Sequence, residues 1–99
     1  MAQRTRYVVA YDIREPRRLR RVHQVATDFG FPLQYSVFIC DLTALELLGL
    51  KRALTREAKL TEDNIAILDL GRPDGRGIEC IELLGVRRKL EDSGTAAVW

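Results

Sequence analysis

Hydrophobic and polar positions change their spacing several times along the chain, and each change marks an element. The run RYVVAYDI (Arg6–Ile13) is β-branched and aromatic, which predicts a buried strand. After it, Leu19, Val22, Ala26 and Phe29 recur at helical intervals. Pro16 opens this predicted helix, where its missing N–H costs nothing, and Gly30 stops it. LQYSVFICDL (Leu33–Leu42) reads as a second strand region, with Leu33, Tyr35, Val37 and Ile39 on one face and Gln34, Ser36, Phe38 and Cys40 on the other. Neither face is cleanly polar, so a sheet with its own helices on one side needs a second cover on the other. A partner subunit is the simplest cover.

Thr43, with Glu46 three residues later, forms a capping box that predicts a second helix to about Leu60. NIAILDL (Asn64–Leu70) and GIECIELL (Gly77–Leu84) read as strands. Pro73-Asp74-Gly75 between them signals a tight turn, so the two are expected to pair as an antiparallel hairpin. Beyond Gly85 the chain is charged and ends in TAAVW, which is either a frayed terminus, the usual fate of such a segment, or, the reading favoured here, a short strand that adds to a sheet edge, of this chain or another. The expected organisation is one domain over residues 1–84 and a tail over residues 85–99.

This order predicts an α/β (α+β) sandwich: an antiparallel sheet with two helices on one face. A ferredoxin-like arrangement requires the 31–42 region to hold two strands, and no turn residue after Pro32 marks the break. No apolar run approaches the ~18 residues of a membrane span, and no leader pattern precedes the first strand, so a cytoplasmic protein without membrane contact is expected.

Net charge is only +2, but its distribution is uneven: Arg14, Arg17, Arg18, Arg20 and Arg21 crowd the start of the first helix. At about 100° per residue, Arg14, Arg17, Arg18 and Arg21 fall on an arc away from the apolar stripe. Beside them stands one carboxylate, Asp12, at the carboxyl end of the first strand, a place where aspartates often serve as turn or capping residues. His23, at the margin of the apolar stripe, reads as packed, and Cys40 and Cys80, within apolar runs, read as buried thiols. One histidine and two distant cysteines do not make a zinc site, and neither a catalytic triad nor a glycine-rich phosphate loop is present.

The ordered combination is more specific than any piece of it. RYVVAYDIREPRRLRRVHQVATDFGFPLQYSVFICDL, continued by NIAILDL and GIECIELLG, resembles the CRISPR-associated protein 2 family over roughly residues 4–85. That resemblance implies a ferredoxin-like fold with an extra C-terminal strand, working as a homodimer. It implies that Asp12 meets its twin across the twofold axis and binds a divalent metal, Mg²⁺, as a catalytic ligand. Tyr11, Ser36 and Phe38 are implied near that site, with packing at the dimer interface the favoured role for Phe38. Arg14, Arg17, Arg18 and Arg21 would hold phosphates of duplex DNA or single-stranded RNA. Two roles follow from the resemblance, both in spacer acquisition: a metal-dependent endonuclease on RNA or DNA, or a non-catalytic scaffold that holds DNA for the CRISPR-associated integrase. A ribonuclease toxin of the same fold is the third reading.

Overall fold

A computed structural model of the protein describes residues 3–86. Four strands, β1 (Thr5–Asp12), β2 (Phe31–Gln34), β3 (Val37–Leu42) and β4 (Asn64–Gly71), alternate with helices α1 (Pro16–Phe29) and α2 (Ala44–Glu57). A single helical turn, α3 (Arg76–Glu79), follows. The sheet order is β2-β3-β1-β4, and every neighbouring pair is antiparallel. This is the ferredoxin-type α+β fold that the resemblance implied, with both long helices on one face.

The core explains the helix-side pattern. Val9 and Tyr11 of β1 and Phe38, Cys40 and Leu42 of β3 meet Val22 and Ala26 of α1 and Leu50 and Leu54 of α2, all buried. Removing each of these larger side chains from water stabilises the fold by roughly 1.5–3 kcal/mol. At the end of α1 the backbone passes very close to β3. A Cβ on Gly30 would collide with the Ile39 carbonyl oxygen and stand 2.5 Å from Cys40 Sγ, so only glycine fits there.

The break that the sequence conceals lies at Tyr35-Ser36, which form the turn between β2 and β3. Leu33 and Tyr35 therefore do not share a strand with Val37 and Ile39. The pairing also slips between Pro32 and Gln34, where proline cannot donate to the ladder.

The expected hairpin between Asn64–Leu70 and Gly77–Leu84 is not formed. Local bonds capture the backbone groups it would need: Arg72 O accepts from Gly75 N (3.1 Å) and Gly77 N (2.9 Å), and Arg76 O accepts from Cys80 N (3.0 Å). Gly71, at φ 85°, supplies the left-handed residue that starts this spiral. Residues 81–84 carry no regular structure, and β1 is the only neighbour of β4 among the described residues. Cys80 is consequently exposed, while Cys40 is buried as expected. The TAAVW tail lies outside the described residues.

α2 ends three residues before the expected Leu60. The Asp63 carboxylate takes the Lys59 N–H (2.8 Å), and Lys59 O accepts from Glu62 N and Asp63 N (2.8 Å each), closing a turn instead of another helical one. No helix among the described residues is long and apolar enough to cross a membrane.

Candidate metal and nucleic-acid site

Asp12 is the last residue of β1, flanked on both sides by neighbouring chain. Its cross-strand partner on β4 is Asn64. On the other side the Tyr11 N–H donates to Ser36 O at 3.1 Å, which sets the Tyr35-Ser36 turn beside the strand end. Because side chains alternate, Tyr11 points into the helix-side core and Asp12 to the opposite face, together with Val8 and Ala10. Asp12 is exposed, and its carboxylate has neither hydrogen bond nor ion pair among the described residues.

Behind Asp12 stands an aromatic pillar. The Tyr11 hydroxyl lies 2.8 Å from His23 Nδ1. The His23 ring stacks on Tyr35 (5.7 Å between centroids) and meets Phe38 edge-on (5.3 Å). Tyr11 and Phe38 stack at 6.3 Å. Four side chains from β1, α1, the β2–β3 turn and β3 thus pack together behind the strand end. Burial pushes the Tyr11 hydroxyl well above its usual acidity range, so it stays a neutral hydrogen-bonding group. Phe38 is 1% exposed and lies under the helices, not on the open face, so the interface role expected for it is not its place in this chain.

Burial lowers the pKa of His23. The folded chain therefore favours neutral His23, and the unfolded chain binds the proton more readily. The sign follows: stability associated with His23 is present above the ordinary histidine value of about 6.5 and declines as pH falls below it. The melting temperature of the native chain is expected to fall more steeply between pH 7.5 and 5.5 than that of His23→Gln, measured by circular dichroism; parallel slopes would contradict this.

The arginines divide into two groups. Arg18 is engaged: its Nε and one terminal nitrogen donate to Asp63 at 2.9 and 3.1 Å, and the same nitrogen reaches Glu62 at 3.0 Å. The Asp63 carboxylate is fully buried and also accepts from Arg14 N at 2.9 Å and Lys59 N at 2.8 Å. The Arg18 guanidinium, foremost, holds the Asp63 carboxyl well below the usual carboxylate range. This latch ties the β1–α1 loop, which follows Asp12, to the α2–β4 loop, which leads to Asn64. Sequence reasoning missed Asp63, because an acidic residue in a loop before a strand looks the same whether it is solvated or latched.

Arg14, Arg17 and Arg21 are exposed, with no ion pair among the described residues. Arg17, in the first turn of α1, stands at a position that is costly to the helix. The positive pole of the macrodipole favours acidic side chains, yet the first turn of α1 has none and is capped by Glu15 from outside. The Glu15 carboxylate faces Arg17 and Arg18 from the cap, and the exposed cations around it add their field to that of the helix pole, a surface suited to anions.

The opposite sheet face is the remaining element. Val8, Ala10, Val37, Ile39, Ala66 and Leu68 lie there; Ile39 is buried, Leu68 is 49% exposed, and neither α1 nor α2 covers this face among the described residues. One end is closed by Arg6, which grips Asp41 through two 2.8 Å bonds and lies over the Phe31 ring.

Comparison with known proteins agrees with this fold. The family model for CRISPR associated protein Cas2 matches residues 5–75. A Geobacter sulfurreducens protein named CRISPR-associated endoribonuclease Cas2 is 42% identical over 65 residues, 66% of this chain and 68% of that protein. A Thermodesulfovibrio yellowstonii protein named CRISPR-associated endoribonuclease Cas2 2 is 35% identical over 86 residues, covering 87% of this chain and 89% of its own length. The crystal structure of Streptococcus pyogenes Cas2 at pH 6.5 superposes with a TM-score of 0.71 at 30% identity, over 81% of this chain and 99% of that one. The matched span contains the strand that ends in Asp12, the arginine-bearing helix, the Tyr35-Ser36 turn and the Asp63 latch, and this chain belongs to the Cas2 family of CRISPR-associated proteins.

Proposed function

We propose that two copies of the chain pair through their uncovered sheet faces and bind nucleic acid during CRISPR spacer acquisition. Asp12 and Asp12 of the partner subunit then hold Mg²⁺, and the dimer acts as an endonuclease on RNA or DNA phosphodiesters. The observation that carries this reading is the position of Asp12: an exposed carboxylate without a partner, at the end of β1, on the same sheet face as Val8, Ala10, Val37 and Leu68. Burying those apolar residues against a second copy would bring the two strand ends toward one axis. The outer edge of β4, followed by the exposed Ile78, Leu83 and Leu84, supports the same assembly, since an unpaired edge beside apolar chain suits strand exchange.

The donor set fits the metal only in a dimer. Among the described residues of one chain, no three His, Cys, Asp or Glu side chains cluster. Mg²⁺ keeps most of its waters and accepts as few as two carboxylates, while two facing carboxylates without a cation repel. When bound, the ion supplies stabilisation of charge developing on a phosphodiester. The chain supplies the rest: Tyr11, His23 and Phe38 fix the strand end, Ser36 O fixes the adjacent turn, and Arg14, Arg17 and Arg21 hold phosphates. In this reading Arg18 positions the loop and does not touch the ligand.

One observation favours a second reading. A single carboxylate per chain is a thin catalytic apparatus, which suits a scaffold that holds duplex DNA for the CRISPR-associated integrase. Family membership favours either of these over a ribonuclease toxin. A cytoplasmic location, with its DNA, suits both.

Nucleic-acid binding is tested by titrating a labelled duplex and a labelled single-stranded RNA at several salt concentrations, with dimer mass checked by light scattering. Arg17→Gln with Arg21→Gln is expected to weaken binding and to flatten the salt dependence by about 0.9 in log–log slope for each duplex phosphate no longer neutralised. A dimer whose binding is unchanged by these substitutions would move the ligand away from α1.

A further inference from the structure

We propose that the outer face of α2 is a second phosphate-binding track, formed by Lys51, Arg52, Thr55 and Arg56, which extends the α1 surface across the helix layer. This rests on the reading of the protein as a nucleic-acid binder and adds a surface to it. Leu50 and Leu54 are the core positions of α2. At about 100° per residue, Lys51, Thr55, Arg52 and Arg56 fit an arc on the far side, and all four are exposed. They line a shallow trough of ≈ 400 Å³, walled mainly by the aliphatic parts of these side chains.

A solvated helix face is the alternative, and the spacing argues against it. Helices that gain only solubility from charge usually interleave signs three and four residues apart. Here no carboxylate stands three or four residues from Lys51, Arg52 or Arg56, and Arg52 and Arg56 form a like-charge pair at that spacing, which is destabilising. The chain makes opposite-charge pairs elsewhere: Lys59 bonds Glu62 at 3.0 Å, three residues on. The macrodipole accounts for Arg56 in the last turn, but its influence fades within one turn and does not extend to Lys51 and Arg52. An unneutralised cluster is what a polyanion requires.

Continuity points to the same ligand as the α1 arginines. The start of α1 lies at the end of α2, because Arg18 bonds Glu62 and Asp63 and Lys59 bonds Glu62. Arg17 and Arg21 thus stand at the same end of the helix layer as Arg56. Three cations and one hydroxyl suit phosphate oxygens, and the exposed Leu45 and Leu48 on the same arc stand toward the other end of α2, away from the α1 arginines. The expected ligand is the sugar–phosphate backbone of a nucleic-acid duplex, gripped without reading sequence.

The test is fluorescence anisotropy with a labelled duplex of mixed sequence across a KCl series. It compares the native dimer, Arg17→Gln with Arg21→Gln, Lys51→Gln with Arg52→Gln and Arg56→Gln, and Arg52→Lys with Arg56→Lys. The α2 charge-removal variant is expected to bind roughly tenfold more weakly near 0.1 M salt, with a log–log slope lower by about 0.9 for each phosphate it no longer neutralises. Its melting temperature stays close to native, because the loss of the Arg52–Arg56 repulsion offsets the loss of Arg56 from the last turn. The lysine variant keeps the native slope. If the α1 variant weakens binding and the α2 variant matches the native dimer, this track is overturned while the proposed function stands. If the native dimer binds no duplex, the track falls; the proposed function falls with it only if that dimer binds no single-stranded RNA either. If the α2 variant loses binding only to vesicles containing anionic phospholipid, the track serves a membrane and the proposal is wrong.

Discussion

Asp12→Asn is expected to lower Mg²⁺-dependent cleavage of RNA or DNA by roughly 10³-fold, the scale of losing a charge-stabilising group at a reacting phosphate. Asparagine keeps the shape of the side chain and removes the negative charge that a hard cation requires, and in a dimer both copies lose it at once. The fold should not suffer. Asp12 is exposed in one chain and makes no hydrogen bond or ion pair among the described residues, so the melting temperature without Mg²⁺ is expected to stay level or to rise as the facing carboxylates cease to repel. This combination separates a metal ligand from a structural aspartate. Cleavage by a folded Asp12→Asn dimer at the native rate would place the metal elsewhere. If the native dimer binds duplex but does not cut, the scaffold reading replaces the nuclease one.

Asp63→Ala is expected to have the largest effect on stability. It removes an acceptor used by Arg18, Arg14 N and Lys59 N together, and leaves the Arg18 guanidinium beside a cavity. A drop in melting temperature on the order of 10 °C follows for a chain of this size. Asp63→Asn, which keeps one acceptor oxygen and loses the charge, should fall between the two. The pH dependence has a definite sign. The folded carboxyl sits well below its ordinary value, so the latch contributes fully above the unfolded value near 3.9 and is lost as pH falls through the folded one. The acid limb of the native stability curve should therefore flatten in Asp63→Ala. Native-like melting of Asp63→Ala across pH would contradict the latch.

Much of the architecture was legible because it rests on periodicity and caps. The Leu19–Phe29 stripe, Pro16, and the Thr43–Glu46 box each act within one or two turns of chain, and each appears where expected. What stayed hidden depends on contacts distant in sequence. Tyr35-Ser36 turns without glycine or proline because it is bracketed by the sheet and by His23 stacked on Tyr35. The 77–84 run has strand-forming residues, yet the Arg72 carbonyl takes the nearby amides before a partner strand can, leaving Ile78, Leu83 and Leu84 exposed. In the candidate site, the position of Asp12 at a strand end was readable. The separation of Arg18 from Arg14, Arg17 and Arg21 was not, since it is made by Asp63, 45 residues away in the chain. Charge on a helix arc says which side chains share a direction, not which already have partners.

The most direct test of a metal held between two chains is its stoichiometry. Mn²⁺, a paramagnetic substitute for Mg²⁺, can be titrated into the native dimer and followed by electron paramagnetic resonance, with dimer concentration fixed by light scattering. One tightly bound ion per two chains, abolished by Asp12→Asn, is the predicted result. One ion per chain, or binding that survives Asp12→Asn, would contradict the shared Asp12 site.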